Sequence, residues 1–165
     1  MDLQSLISAL QLQPHPEGGY YRELYRSEER ISAEALPERY RQPRVLHTGI
    51  YFLLTSGNFS AFHRIDSDEY WHFYQGGPLL VHLLHPENGY SCIRLGTPEQ
   101  QGVFQSLVPA GTWFASECAA GVEWSLVGCN VAPGFEFDGF ELASAQQLTQ
   151  QFPEHAALIH RLCRS

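Results

Sequence analysis

The central part of the chain is a series of short runs in which apolar and polar positions alternate. These runs follow one another from Val45 onwards, and the turn signals SGN, QGGP, PENG and AAG separate them. Alternation with a period of two is typical of strands, and short strands with Gly and Pro between them indicate a sandwich or a barrel. The pattern therefore predicts an all-β core over about residues 45–142.

Helical periodicity is confined to the two ends of the chain. Apolar residues recur at helical spacing within residues 2–11. Near the other end, Ser144 and Gln147 form a capping-box pattern, and an apolar stripe follows within residues 154–164. We predict a single domain, residues 1–165, with a short N-terminal helix and C-terminal helices within residues 144–164.

The segment 28–43 interrupts the strand pattern. It contains Pro37, Pro43 and many charged residues, so it predicts a loop with one helical turn. Loops of this length in compact domains are often lids or intersubunit arms, and others are disordered. The sequence leaves the role of this loop open between these alternatives.

The stretch Gly57–Gly76 reads GNFSAFHRIDSDEYWHFYQG. Its spacing resembles the first motif of the cupin family, in which a glycine, two histidines, a glutamate and a second glycine follow at fixed distances. His63 and Glu69 match that motif, whereas Ile65 stands where the second histidine belongs. The resemblance implies a jelly-roll β-barrel with His63 and Glu69 pointing into its interior.

A second punctuated stretch, VPAGTWF at residues 108–114, resembles the second cupin motif. Pro109 and Gly111 match it, and Phe114 stands in the histidine position. Longer strings, among them PHPEGGYYRELYRS and WSLVGCNVAPGFEFDGFEL, are similar to the single-domain cupins grouped as DUF985 or cupin 5. That group name implies the fold, an all-β single-domain cupin jelly-roll barrel with short terminal helices, but no established activity.

Alternation along the two strands of the first motif predicts which side chains share the barrel interior. The first strand carries on one face Phe59, Ala61, His63 and Ile65. The second strand carries on one face Glu69, Trp71 and Phe73, and on the other Tyr70, His72 and Tyr74. Only one of Glu69 and His72 can therefore point inward unless a bulge intervenes, and the family register favours Glu69.

An imidazole and a carboxyl group inside apolar walls form a candidate acid–base pair, because burial and neighbouring charges shift their pKa values. We predict His63, Glu69 and Tyr74 as catalytic residues. The predicted ligand-binding residues are Tyr51, Trp71, His72, Phe114 and Trp124. The alternative is structural: His63 and Glu69 hydrogen-bond each other or the backbone as a satisfied buried pair.

Metal-free cupins of the RmlC-like group are sugar-nucleotide epimerases that use a His base and a Tyr acid. By this resemblance we predict that the chain binds a small polar or sugar-like molecule without a cofactor and, if it is an enzyme, acts as an isomerase or epimerase. One alternative is a metal-dependent oxygenase or isomerase, in which His63 and Glu69 bind a divalent metal with help from His47, His72 or His82. Another is a non-catalytic binding or storage-like module.

Charge and composition argue against several partners. The formal net charge of −8 repels phosphate backbones and anionic membrane surfaces, and no apolar run reaches the ~20 residues of a membrane helix. We therefore expect no nucleic-acid or membrane partner.

The four cysteines lack C-x-x-C spacing and the N-terminal stretch lacks a basic segment and a cleavage site, so we expect a reduced, cytoplasmic protein. The cupin resemblance implies a homodimer.

Overall fold

Most of the strands belong to two antiparallel sheets in the computed structural model, which describes residues 2–16 and 18–164. The strands of the first sheet are β1 (Gln13–Pro14), β2 (Tyr20–Arg26), β5 (Thr48–Thr55), β7 (Asp68–Gly76), β10 (Gln105–Val108) and β12 (Trp124–Ala132). Their spatial order is β1-β2-β5-β12-β7-β10. The two long central strands, β5 and β12, pair along their whole length.

The second sheet faces the first. Its strands are β6 (Phe59–Ile65), β8 (Leu79–His85), β9 (Gly89–Leu95), β11 (Trp113–Cys118) and β13 (Phe140–Leu142). Their spatial order is β13-β6-β11-β8-β9. A separate short hairpin pairs β3 (Arg30–Ile31) with β4 (Arg44–Val45).

The inner faces of the two sheets form the main apolar core. Phe52, Trp71 and Val127 of the first sheet pack against Val81 and Phe114 of the second. Full burial of one such side chain stabilises the fold by about 1.5–3 kcal/mol. The predicted all-β jelly roll is therefore confirmed, as a sandwich of two facing sheets rather than one closed barrel.

The N-terminal helix α1 (Leu3–Leu10) covers part of the outer face of the six-stranded sheet. The Asp2 side chain caps it by accepting a hydrogen bond of 2.9 Å from the Ser5 amide. Leu6 packs with Leu53 and Leu126, which alternation places on the outer face of the sheet. This agrees with the predicted short amphipathic helix.

The C-terminal helices α2 (Ala145–Gln151) and α3 (Ala156–Leu162) cover the outer face of the five-stranded sheet. Leu148 and Ile159 pack there with Phe62 and Trp113. The predicted C-terminal helices therefore lie on the outer face of a sheet. None of the helices within residues 2–16 and 18–164 is long and apolar enough to cross a membrane.

The loop 28–43 is anchored to the sandwich by an arginine. Arg44 is 1% exposed, and its guanidinium donates to the carboxylate of Asp66 and, over 3.3 Å, to Asp138. Arg39 adds a hydrogen bond of 2.8 Å to the carbonyl of Asp66. The predicted helical turn is a 3₁₀ turn at Ala33–Ala35.

Candidate functional site

A cavity of about 220 Å³ lies between the inner faces of the two sheets. The six-stranded sheet contributes Glu69 and Trp71 to its lining, and the five-stranded sheet contributes His63 and Ile65. Phe137 lines the cavity while remaining 77% exposed, so it marks the opening. Because most of the lining is apolar, the few polar groups inside are poorly hydrated.

A β-bulge in β6 brings Ser60 to the cavity beside His63. His63 pairs with Phe114 of β11, but Ser60 pairs with Ser116, so three residue steps on β6 match two on β11. The bulge breaks the simple alternation, and Ser60 joins His63 in the lining. The expectation that Phe59 lies on the inner face is therefore wrong, because Phe59 packs under the C-terminal helices, and Ala61 is not among the residues that line the cavity.

His63 is held as a neutral imidazole with a defined tautomer. Its Nδ1 lies 2.7 Å from the carbonyl oxygen of Ala61, and because a carbonyl only accepts, Nδ1 carries the hydrogen. The ring also contacts Phe114 and Phe140, with centroid distances of 4.1 Å and 5.2 Å. Burial lowers the pKa of His63 to about 4. Nε2 therefore keeps its lone pair at neutral pH and is free to act as a base.

Glu69 approaches the cavity from the opposite sheet. It pairs with Val131 of β12 and Val108 of β10 and is 9% exposed. Burial raises the pKa of its carboxyl group to about 7, and the Cys129 thiol opposes that rise by donating a hydrogen bond to the carboxylate. Around neutral pH a large share of Glu69 is therefore protonated and able to donate.

The structure brings His63 and Glu69 into one cavity without joining them directly. No hydrogen bond between the two side chains occurs in the described parts of the chain, and only Nδ1 of His63 is satisfied by the backbone. Between pH values of about 4 and about 7 both groups are mainly uncharged, one as a base and the other as an acid. Groups whose pKa values are driven apart in this way are frequent at functional sites.

The comparisons with known proteins agree with this architecture. The sequence profile described as "Cupin superfamily (DUF985)" matches residues 4–143. The chain belongs to this cupin family. A solved structure of a hypothetical protein from Leishmania major is similar to it over 100% of both chains, with 34% identity and a TM-score of 0.89.

Two further relatives support the assignment. The solved structure of protein SO0799 from Shewanella oneidensis is 38% identical, with a TM-score of 0.86 over 99% of this cupin and 98% of that chain. Among sequences, the uncharacterized protein YML079W of Saccharomyces cerevisiae is 29% identical over 94% of this cupin and 83% of its own length. These names state no activity, so the function has to be argued from the cavity.

The residues that the structure describes do not offer the ligand set of a metal site. Among the described residues, no group of three or more His, Cys, Asp and Glu side chains is arranged to hold a metal ion. The two motif positions that lack a histidine hold Ile65, in the cavity lining, and Phe114, packed on the ring of His63. We therefore derive no chemical step through a metal.

The histidines that could have completed such a site lie elsewhere. His82 is bonded to Glu117, with Nε2 and Oε1 2.9 Å apart. Nε2 of His47 lies 2.8 Å from the amide nitrogen of Asn130. His72 follows Trp71 in β7, so alternation directs it to the outer face of the sheet.

Four of the other predicted site residues lie outside the cavity of this cupin. Tyr74 is 51% exposed on the outer face of the six-stranded sheet, where it covers Gly128 and contacts Tyr51 edge-on at 5.8 Å. Tyr51 and Trp124 pack with the cluster beneath α1, and His72 shares the outer face with Tyr74. The prediction that these four side chains line the cavity is therefore wrong. The alternation that directs Glu69 inward directs Tyr74 outward.

The remaining predicted residues lie on the cavity side of the core. Trp71 is 3% exposed and lines the cavity between Glu69 and the deeper core. Phe114 is fully buried behind His63 and forms T-shaped contacts with Trp71 at 6.1 Å. Both help to exclude water from the acid–base pair, but Phe114 itself is not part of the lining.

Sequence reasoning missed several lining residues of this cupin. Alternation did not identify Ser60 as a lining residue because β6 contains a bulge, and no local sequence pattern indicates that bulge. Cys129 follows from alternation, because β12 directs it inward together with Val131. His15 lies on the turn before β2, and only the tertiary packing of that turn brings it to the cavity.

Proposed function

We propose that this cupin binds a small polar molecule with a carbonyl group in the cavity and catalyses proton transfer next to that carbonyl, as a metal-independent isomerase or epimerase. The observation that carries the proposal is one shielded cavity lined by an unprotonated imidazole and a carboxylic acid. Such a pair supplies both the base and the acid that enolisation requires.

The proposed step is an enolisation. Nε2 of His63 takes the proton from the carbon next to the carbonyl, and the C–H electron pair forms the carbon–carbon double bond of an enol. The carbonyl oxygen receives the proton of the Glu69 carboxyl group. The positive imidazolium and the negative carboxylate form together, so the cavity gains no net charge, which a poorly hydrated site favours. If the imidazolium returns the proton to the former carbonyl carbon and the neighbouring hydroxyl gives its proton to the Glu69 carboxylate, a hydroxycarbonyl compound is isomerised. If the proton returns to the other face of the original carbon and the enol oxygen gives its proton back to Glu69, that carbon is inverted.

The protonation states set the expected pH dependence. The base form of His63 is lost as pH falls through about 4. The acid form of Glu69 is lost as pH rises through about 7. The rate of proton transfer in the free enzyme, measured as kcat/KM, is therefore expected to be bell-shaped with limbs near these two values.

Solvent exchange tests the proposal directly. The protein is incubated in deuterated buffer with a panel of aldoses, ketoses and smaller hydroxycarbonyl compounds, and loss of the C–H signal next to the carbonyl is followed by proton NMR. We expect exchange with at least one compound, and a fall of ~10²–10⁴-fold in His63→Gln and Glu69→Gln. His160→Gln, an exposed histidine on α3, is the matched control and should exchange at the wild-type rate.

Two results would contradict the proposal. One is exchange that persists at the wild-type rate in His63→Gln. The other is no exchange with any compound of the panel, which would favour a binding module without turnover. Elemental analysis of untagged protein provides a separate check, because near-stoichiometric metal would favour metal-dependent chemistry.

A further inference from the structure

Ser60 lines the cavity but has no role in the proposed proton transfer. It lies in β6, three residues before His63, and is 6% exposed. Within residues 2–16 and 18–164, its hydroxyl group makes no hydrogen bond to another residue. A buried polar group without a partner is costly, and in native structures it usually has an explanation. A ligand in the cavity is one such explanation.

Other buried hydroxyl groups near the cavity are either bonded or enclosed. Thr48 also lines the cavity, but its Oγ1 accepts a hydrogen bond of 3.0 Å from the amide of Phe135. Oγ of Ser116, on the neighbouring strand β11, has no partner but is sealed inside the core. The hydroxyl group of Ser60 is unpaired as well, yet it is not sealed in. It is therefore available to a molecule in the cavity.

The bulge in β6 fixes Ser60 on the same wall of the cavity as His63. In a regular strand, residues three apart point to opposite faces. Here the three steps from Ser60 to His63 match only two steps from Ser116 to Phe114, so both side chains face inward. Glu69 faces them from the other sheet. A molecule that contacts the acid and the base therefore lies beside Ser60.

We propose that Ser60 binds a hydroxyl group of the ligand and that the substrate is an α-hydroxycarbonyl compound. This rests on the proposed function and names its substrate class. The hydroxyl group of Ser60 both donates and accepts, so it can pair with a hydroxyl group on the carbon that His63 deprotonates. An analogue without that hydroxyl would displace water and leave Ser60 unpaired, and sites of this kind reject such analogues.

Matched ketones test the inference. Each hydroxyketone is compared with the ketone that has a methyl group in place of the hydroxyl: hydroxyacetone with butanone, and 3-hydroxy-2-butanone with 3-methyl-2-butanone. Binding is measured by saturation-transfer NMR at pH 6, between the pKa values of His63 and Glu69. We expect the wild type to bind at least one hydroxyketone about tenfold more tightly than its methyl counterpart.

Variants at position 60 locate the source of this preference. Ser60→Ala should remove it, so that the two members of a pair bind within about twofold of each other. Ser60→Cys keeps the size of the side chain and a weaker donor, and should keep part of the preference. Ser116→Ala is the matched control, because it removes a sealed hydroxyl group from the paired strand and should keep the wild-type preference.

Thermal unfolding separates a binding role for Ser60 from a structural one. Because its hydroxyl group bonds no other described residue, Ser60→Ala should change Tm by less than about 1 °C. Ser67→Ala is the comparison, since Ser67 donates to the hydroxyl of Tyr40 at 3.0 Å. That variant should lower Tm by about 2–4 °C. An equal fall in Ser60→Ala would overturn the inference.

The outcomes also separate this inference from the proposed catalysis. Equal binding of both members of each pair, an unchanged preference in Ser60→Ala, or no binding of either hydroxyketone would overturn the inference. A preference that needs Ser60, without solvent exchange of the C–H next to the carbonyl, would sustain the inference and contradict the proposed proton transfer. Exchange at equal rates in hydroxyketones and methyl ketones, unaffected by Ser60→Ala, would sustain the proton transfer and overturn the substrate class.

Discussion

Within residues 2–16 and 18–164 of this cupin, two combinations of an imidazole and a carboxyl group, His82 with Glu117 and His63 with Glu69, have opposite characters because their surroundings differ. His82 and Glu117 lie on the outer side of the five-stranded sheet, where they bond directly at 2.9 Å. Arg161 donates to the same carboxylate at 2.8 Å, which lowers the pKa of Glu117. His63 and Glu69 face a cavity whose lining arginine, Arg26, pairs with Glu23 and Glu136 rather than with Glu69, and burial raises the pKa of Glu69 to about 7.

The difference shows that residue type alone does not identify an acid–base site. Nδ1 of His82 lies 3.0 Å from the hydroxyl of Tyr90, so both ring nitrogens are occupied and the carboxylate of Glu117 is ionised and paired. That arrangement joins α3 to the sheet. In the cavity, by contrast, Nε2 of His63 and the carboxyl group of Glu69 are available to a ligand. A cation and a direct hydrogen bond make His82 and Glu117 a structural pair, whereas without them His63 and Glu69 keep pKa values that burial has shifted.

The largest expected difference between the two pairs is how the free energy of unfolding changes with pH when His63 or Glu69 is replaced. The pKa of Glu69 rises from 4.5 to about 7 on folding, so its stabilising contribution is complete below 4.5 and is lost as pH rises through about 7. The pKa of His63 falls from 6.5 to about 4, so its contribution is complete above 6.5 and is lost as pH falls through about 4. Each amounts to about 3 kcal/mol.

In the wild type these two contributions oppose each other between pH 4.5 and 6.5. Glu69→Gln leaves only the stability contribution of His63. Relative to wild type, this variant should therefore lose stability as pH falls. His63→Asn leaves only the stability contribution of Glu69. Relative to wild type, this variant should therefore lose stability as pH rises. Urea unfolding from pH 4 to 8 measures both slopes. Slopes of the same sign in the two variants would contradict the opposed pKa shifts.

A smaller effect is expected at the outer pair. Glu117→Ala removes the acceptor of the buried His82 Nε2–H and of Arg161, and should lower the free energy of unfolding by about 1–3 kcal/mol. Glu117→Gln keeps one acceptor and should cost about 1 kcal/mol, because Arg161 is half exposed. Both variants should bind cavity probes as the wild type does. Loss of probe binding at full stability would show that the two pairs are coupled.

The sequence predicted the elements better than it predicted the site. The glycine punctuation around residues 57–76 and alternation within it predicted β6 and β7, because these features depend on local chemistry. Alternation left Glu69 and His72 as alternatives for the inward position, and the family register favoured Glu69. The bulge that brings Ser60 to the cavity depends on how β6 pairs with β11, a contact between distant parts of the chain. His15 reaches the cavity through the packing of its turn on both sheets, which is tertiary as well.

The placement of Tyr74 was wrong for a different reason. Its selection as an acid rested on residue type and on the family precedent, whereas alternation had already assigned it to the face opposite Glu69. The structure agrees with alternation, and Tyr74 covers Gly128 on the outer face. The proposed acid of the cavity is then Glu69, because burial raises the pKa of its carboxyl group to about 7.

The central claim is that His63 and Glu69 are an uncharged base and an uncharged acid in one shielded cavity. The most direct test is an NMR titration of the free protein, with carbon-13 labels on the imidazole of His63 and the carboxyl group of Glu69, and with Glu69→Gln and His63→Asn to assign the signals. The account predicts that His63 stays neutral down to a pH of about 4 and that Glu69 ionises only near 7. A His63 that titrates near 6.5, or a Glu69 already ionised at 4.5, would contradict it.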